Sequence, residues 1–409
     1  MLVMTMNCND IPVREIEFYP MEADGADYPA AALPILPVAT EVSLAAGGGG
    51  LSAFLTDGES CVQGRYALAA ALHRAGAVPG KAVLLPAFHC RVMVEPVLYL
   101  GAQAEFYPVL ADLRPDFSAL ESRMAAGGIP VVALLLTHYF GFPNALSEAA
   151  DFCRRHGIAL IEDCAHAFYG ESDGRLLGTV GRYAIASPWK FLPLRDGGVL
   201  RDNSGGEAVD TAAQPWLAEV KSLAAMLQLW WRRSAVAYLP QIDAAALGGQ
   251  ARRIAANRKL RLPQPGLKYF HPEQLAYSAL RSSRWLTTHA PHEQIAGRRR
   301  ENYLQWLAGV RGLSGVQALF SSLPDGVVPY AFPLLIDAAG LGFHCLKLAG
   351  MPIWRWEDMA VTDCAISRDY RIRLLQLPCH QDLQAQELAW MISTVQQLSS
   401  LGDAASVAG

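Results

Sequence analysis

The 409-residue chain is poor in charge: Asp, Glu, Lys and Arg make up 18% of it, against 52% apolar residues. That balance excludes a disordered chain, which lacks the apolar surface needed to offset the entropy of ordering. Formal net charge is −4 and the basic residues are scattered apart from Arg298-Arg299-Arg300, so the electrostatic footprint of a nucleic-acid binder is missing. No run of about eighteen uninterrupted apolar residues occurs, which argues against stable membrane insertion. The first residues carry neither a basic region nor an apolar stretch of signal length. Eight cysteines form no CxxC pair and no zinc-like spacing, in a chain too long to need disulfide staples. No GxGxxG follows a strand-like run, which counts against a dinucleotide-dependent dehydrogenase, and no internal repeat is visible. The expectation is a cytoplasmic protein with reduced thiols and no metal centre.

What is present is an alternation of buried runs and amphipathic stretches. Residues 1–60, rich in Pro, Ala and Gly and including Gly47 to Gly50, read as a mobile N-terminal extension. Gly64 at the start of GRYALAAALHRAG leaves the first N–H groups of a helix, those of Arg65, Tyr66 and Ala67, unpaired, an anion seat with Gly64 itself among the expected cofactor contacts; a helix that merely begins at a flexible glycine would look the same. The runs KAVLLPAF, AEFYPVL, IPVVALLLTHYFG and IALIED read as strands, separated by helices over HCRVMVEPVLYLG, DFSALESRMAAGG and ALSEAADFCRRHG. This spacing implies right-handed crossovers and a mostly parallel sheet covered by helices on both faces, with ligand at the strand C-terminal ends. Phe88, His89, Cys90, Tyr139, Asp163 and His166 all lie just past such ends. Residues 207–262 read as helical, and the helix carrying Trp230-Trp231 is expected at a subunit interface rather than on a membrane. Two more helices follow over 272–310. Strands VVPYAFPLLI, MPIW and LLQLPCH, with helices ending at Gly350 and over DLQAQELAWMISTVQQL, complete a smaller α+β unit. The divisions are 1–60, a large domain over 61–290 and a small C-terminal domain over 291–409.

Between Ile158 and Leu200 the chemistry concentrates. An apolar run ends in Glu162-Asp163, His166 follows, and Lys190 then stands between Trp189 and Phe191 before a Gly-Gly turn. A carboxylate and a desolvated lysine at two strand ends suit pyridoxal phosphate (PLP): the lysine forms the Schiff base, and the aspartate keeps the pyridine nitrogen protonated. Taken singly, Asp163 could be a helix cap, His166 a core histidine and Lys190 a snorkelling surface residue.

In this order, the segments GRYALAAAL, VPGKAVLLPAFHCRVMVEPVLYLGAQAEFYPV, LLLTHYFGFPNALSEAADFCRRHGIALIEDCAHAFYG, SPWKFLPLRDGGVL, RRRENY and LPCHQDL resemble the DegT/StrS family of PLP-dependent sugar aminotransferases. The resemblance implies the fold type I architecture and a homodimer with shared active sites. It implies Lys190 as the cofactor-linking lysine, Asp163 on the pyridine nitrogen, His166 near the phenolic oxygen, and the N–H groups of Arg65 and Tyr66 with the Ser187 hydroxyl on the phosphate. The ring-stacking position falls at Cys90, leaving Phe88 or His89 to substitute. Ile185 stands where a serine is usual, and Tyr269 or His271 stands where the partner subunit usually supplies an asparagine. The implied reaction moves an amino group from glutamate to a keto substrate, a nucleotide-linked sugar or another biosynthetic ketone. The alternatives are another PLP chemistry, such as decarboxylation or elimination, and a non-catalytic binding protein on the same fold.

Overall fold

Along the fourth strand of the main sheet, Leu134 and Leu136 face one apolar core while Ala133 and Leu135 face another. A strand buried on both sides has no polar face, which is why this stretch reads as an unbroken apolar run. The computed structural model describes residues 16–406 apart from 46, 48, 49, 51, 207, 209, 235–238 and 338.

The main sheet contains β1 (Gly58–Cys61), β2 (Ala82–Pro86), β3 (Gln103–Tyr107), β4 (Val131–Thr137), β5 (Ala159–Cys164), β6 (Tyr183–Ala186) and β7 (Gly198–Asp202), in the order β1-β7-β6-β5-β4-β2-β3. Strands β2 to β6 run parallel, whereas β7 is antiparallel to both β6 and β1. The connections are α1 (Gly64–Arg74), α2 (Arg91–Tyr99), α3 (Phe117–Ala125) and α4 (Leu146–His156). Asp116 caps α3 by accepting from the N–H groups of Ser118 and Ala119, and Gly157 ends α4 in the left-handed conformation at φ 64°. The expected α/β architecture with a mostly parallel sheet is therefore present.

Beyond it come α5 (Trp216–Ser234), α6 (Ala244–Ala256), α7 (Arg281–His289) and α8 (His292–Val310). A three-stranded antiparallel sheet of β8 (Val316–Ala318), β9 (Ala331–Ile336) and β10 (Leu374–Pro378) follows, with α9 (Ala339–Leu348), α10 (Ala365–Arg373) and α11 (Ala385–Ser406). The expected strand MPIW does not form. Only Trp354 bridges Gln376, because the chain from Met351 to Val361 is bonded to three other segments rather than to one strand. Helix α5 leaves Trp216, Leu227 and Trp231 exposed. Among the described residues no helix is long and apolar enough to cross a membrane.

The expectation of a mobile lead-in is corrected for its described part. Phe18, Met21, Leu33, Val38 and Phe54 are buried. Residues 17–22 bond to Met359, Val361 and Arg261, and Thr40 and Ser43 bond to Asp382. The apolar residues scattered among Pro and Ala give this segment a strap-like path across the C-terminal part, without periodicity to announce it. Residues 1–15 and part of the glycine run lie outside the described residues.

Candidate active site

The C-terminal ends of β4, β5 and β6 and the first turn of α1 enclose a cavity, the place an open parallel sheet offers a ligand. Gly64, Arg65, Cys90, Asp163, His166, Ser187 and Lys190 line it together, as do Trp189 and Trp356.

Lys190 arrives there because β6 ends at Ala186 and the chain turns through a single 3-10 turn, Pro188–Lys190, closed by the Lys190 N–H donating to Ser187 O at 3.0 Å. Its ammonium nitrogen lies 5.5 Å from the centroid of the Tyr330 ring. Burial holds the amine below the ordinary lysine value of 10.5, while Cys90 and Asp163 oppose that shift. Asp163 stands in register with Thr137 on β4 and Ile185 on β6 and is 3% exposed. One of its oxygens accepts from the Ala165 N–H at 2.9 Å. Burial pushes its carboxyl above the usual range, against the pull of that N–H and of Lys190. A desolvated carboxylate and a desolvated amine facing one cavity are the kind of perturbed groups that cluster at functional sites.

His166 stacks on the Tyr330 ring at 4.3 Å and on Phe140 at 5.7 Å. Burial, reinforced by Lys190, keeps its ring neutral. Its Nδ1 is buried and has no hydrogen-bond partner among the described residues. At the other end of the cavity Gln63 gives α1 no side-chain cap. A Cβ on Gly64 would come within 2.3 Å of Ser187 Oγ, so only glycine leaves the hydroxyl and the helix start this close.

Three expected residues are placed differently. The Tyr66 N–H donates to Gln63 O at 3.0 Å, and the Tyr66 side chain packs on Phe270 at 5.1 Å, so Tyr66 is turned away from the cavity. Phe88 does not line the cavity; it packs under Trp356, ring centroids 5.0 Å apart. His89 is a satisfied core histidine. Its Nδ1 lies 2.9 Å from Ala87 O, its Nε2 accepts from the Ala360 N–H at 3.0 Å, and burial lowers it to about 4. Tyr269, expected to serve the partner's site, lends its carbonyl to Arg65 within this chain.

Sequence reasoning missed three contributors. Trp356 and Tyr330 come from the C-terminal part, where no motif marked them. Arg299 is fully buried on α8 and donates to the backbone oxygens of Lys190 and Phe191 at 3.3 and 3.4 Å. The signal available for it was an arginine in the middle of RRRENY, at a position that faces inward on the helix. His138, Glu162 and Cys164 lie close enough to suggest a metal site. The Glu162 oxygens, however, already accept from His138 and from the N–H groups of Gly178, Val180 and Gly181, which makes the cluster a satisfied hydrogen-bonded core.

Residues 58–214 match the profile of the DegT/DnrJ/EryC1/StrS aminotransferase family. Over 163 residues the chain is 31% identical to the UDP-N-acetyl-3-dehydro-alpha-D-glucosamine 3-aminotransferase of Acidithiobacillus ferrooxidans, covering 38% of this chain and 41% of that protein. It is 25% identical to the GDP-perosamine synthase of Caulobacter vibrioides over 83% of this chain and 85% of that one. The alignment thus spans less than half of the first relative and most of the second. The crystal structure of the aminotransferase TlmJ from Streptoalloteichus hindustanus superposes with a TM-score of 0.61 at 19% identity, over 92% of this chain and all of that one.

Proposed function

We propose, from the match of residues 58–214 to the DegT/DnrJ/EryC1/StrS aminotransferase family, that the chain is an aminotransferase using pyridoxal 5'-phosphate, with Lys190 as the linking and proton-carrying residue. The observation that carries this reading is the meeting of Lys190, Asp163 and His166 in one cavity, with His166 Nδ1 buried and without a hydrogen-bond partner among the described residues.

The residues present fit the cofactor. Bound there, it supplies an aldehyde that condenses with primary amines and a ring that accepts electron density from the carbon being deprotonated. Lys190 would hold it covalently. Because burial favours the uncharged amine, Lys190 Nζ can also take a proton from the amine-bearing carbon and return it. The free oxygen of Asp163 would hold a proton on the ring nitrogen, which at the same time gives that desolvated carboxylate its cation. His166 Nδ1 would meet the phenolic oxygen, ending its own lack of a partner. Gly64 and Arg65 N–H groups with the Ser187 hydroxyl would receive the phosphate.

The amino donor in this proposal is glutamate and the acceptor a keto sugar or a related ketone, the class of dehydro sugar for which two of the relatives are named. The protein would work in the cytoplasm as a homodimer, with the exposed apolar face of α5 as part of the contact. The test is the visible spectrum of purified protein given PLP, with borohydride reduction and peptide mapping, before and after glutamate. A band fixed at Lys190 and converted by glutamate supports transamination. A band that no amino donor converts refutes it in favour of decarboxylation or elimination, and no band at all in favour of a binding protein on this fold.

A further inference from the structure

A flat heteroaromatic ligand needs a flat wall, and neither the thiol of Cys90 nor the core-bound rings of Phe88 and His89 offers one. Trp356 does. It reaches the cavity of Lys190, Asp163 and His166 from the C-terminal part of the chain. Its ring rests on Phe88 at 5.0 Å and 29°, on His166 at 5.4 Å and on Tyr139 at 6.1 Å. Phe88 beneath it is 1% exposed, whereas Trp356 keeps part of its surface open to the cavity. A tryptophan serving only as core would be sealed like Phe88.

The loop that carries Trp356 is pinned on both sides. Trp354 exchanges two backbone hydrogen bonds with Gln376, at 3.1 and 2.7 Å. Glu357 accepts from the N–H groups of Glu22 and Ala23 and pairs with Arg355 at 2.5 Å. The Arg91 N–H donates to Asp358 O at 3.0 Å, the Ala360 N–H to His89 Nε2 at 3.0 Å, and the Tyr19 N–H to Met359 O at 2.9 Å. Expected cofactor neighbours and the N-terminal strap therefore hold one side chain in place.

We propose that Trp356 is the aromatic wall against which the ring of the bound cofactor packs, and that the strap over residues 17–23 together with His89 positions it. The inference rests on reading this cavity as the PLP site. Stacking needs a ring and not merely apolar volume, so the variants Trp356→Phe and Trp356→Leu separate the two roles. Equilibrium titration with PLP should show Trp356→Phe within about threefold of the wild type and Trp356→Leu weakened about tenfold or more. Borohydride should still fix the cofactor at Lys190 in both. Wild-type affinity in a folded Trp356→Leu overturns the proposal. Should that variant fail to fold, tryptophan emission decides: PLP must quench the wild type by more than it quenches Trp356→Phe, and equal quenching overturns it. If the wild type itself takes up no PLP, the underlying reading falls first, and that result is distinct from binding that ignores position 356.

Discussion

Replacing Arg299 by lysine should loosen the cofactor-linking residue without touching the cavity. The guanidinium is 0% exposed and reaches five acceptors: Gln381 Oε1 at 2.9 Å, Pro329 O at 3.2 Å, Tyr330 O at 3.1 Å, Lys190 O at 3.3 Å and Phe191 O at 3.4 Å. It also lies 4.6 Å from the centroid of the Phe191 ring. No carboxylate is bonded to it in these contacts, so its desolvation is offset by backbone and amide dipoles. A lysine keeps the charge but has three donors around one atom, so at least two acceptors lose their partner. At about 1–3 kcal/mol for each buried unsatisfied group, the two lost partners mean that Arg299→Lys should cost about 2–6 kcal/mol of stability. Its effect on chemistry follows from which acceptors it releases. Lys190 and Phe191 form the turn that aims the amine, and a misplacement of about 1 Å there can lower rates about a hundredfold. Urea unfolding and the rate of borohydride-trappable PLP attachment measure the two effects. An unchanged unfolding midpoint together with an unchanged attachment rate would refute the role of this arginine as a clamp.

Further outcomes follow from the same geometry. Asp163→Asn removes a buried charge that the empty fold disfavours, so the cofactor-free protein should melt no lower than wild type, while turnover of PLP-loaded protein falls at least tenfold; a large loss of stability with turnover intact would contradict this. Gly64→Ala should gain a few tenths of a kcal/mol of helix propensity yet weaken PLP binding about tenfold, because the new Cβ displaces Ser187 Oγ; equal affinities by titration count against Ser187 as a phosphate ligand. Lys190 has a folded-state value below 10.5, so the charged form is penalised in the fold and that penalty is relieved as pH rises toward 10.5. The rate of PLP attachment should accordingly climb with pH and level off below 10.5, and a profile still rising at 10.5 would show an unperturbed amine.

The contrast between what the sequence disclosed and what it hid is physical. That Lys190, Asp163 and His166 meet in one cavity was legible because Asp163 lies at the end of a strand buried on both faces and the other two just past one, and such a strand leaves a strong apolar signature and a definite end. Gly64 was legible because an uncapped helix start is a local feature. Trp356, Tyr330 and Arg299 were not, since their roles depend on the C-terminal part folding back over the sheet, and no short-range pattern encodes that approach. Phe88 and His89 show the converse error. They stand just past β2, as site residues do, but the 354–361 loop covers them, so position past a strand end became core. The mobile lead-in expected for this segment is absent for the same reason, because its backbone pairs with chain segments more than two hundred residues away, Phe18 bridging Ala360 and Met21 bridging Arg261. One consequence joins these misreadings. The N-terminal strap, His89 and Phe88 all converge on the loop that presents Trp356, so shortening the strap should act on cofactor affinity before it acts on the parallel sheet.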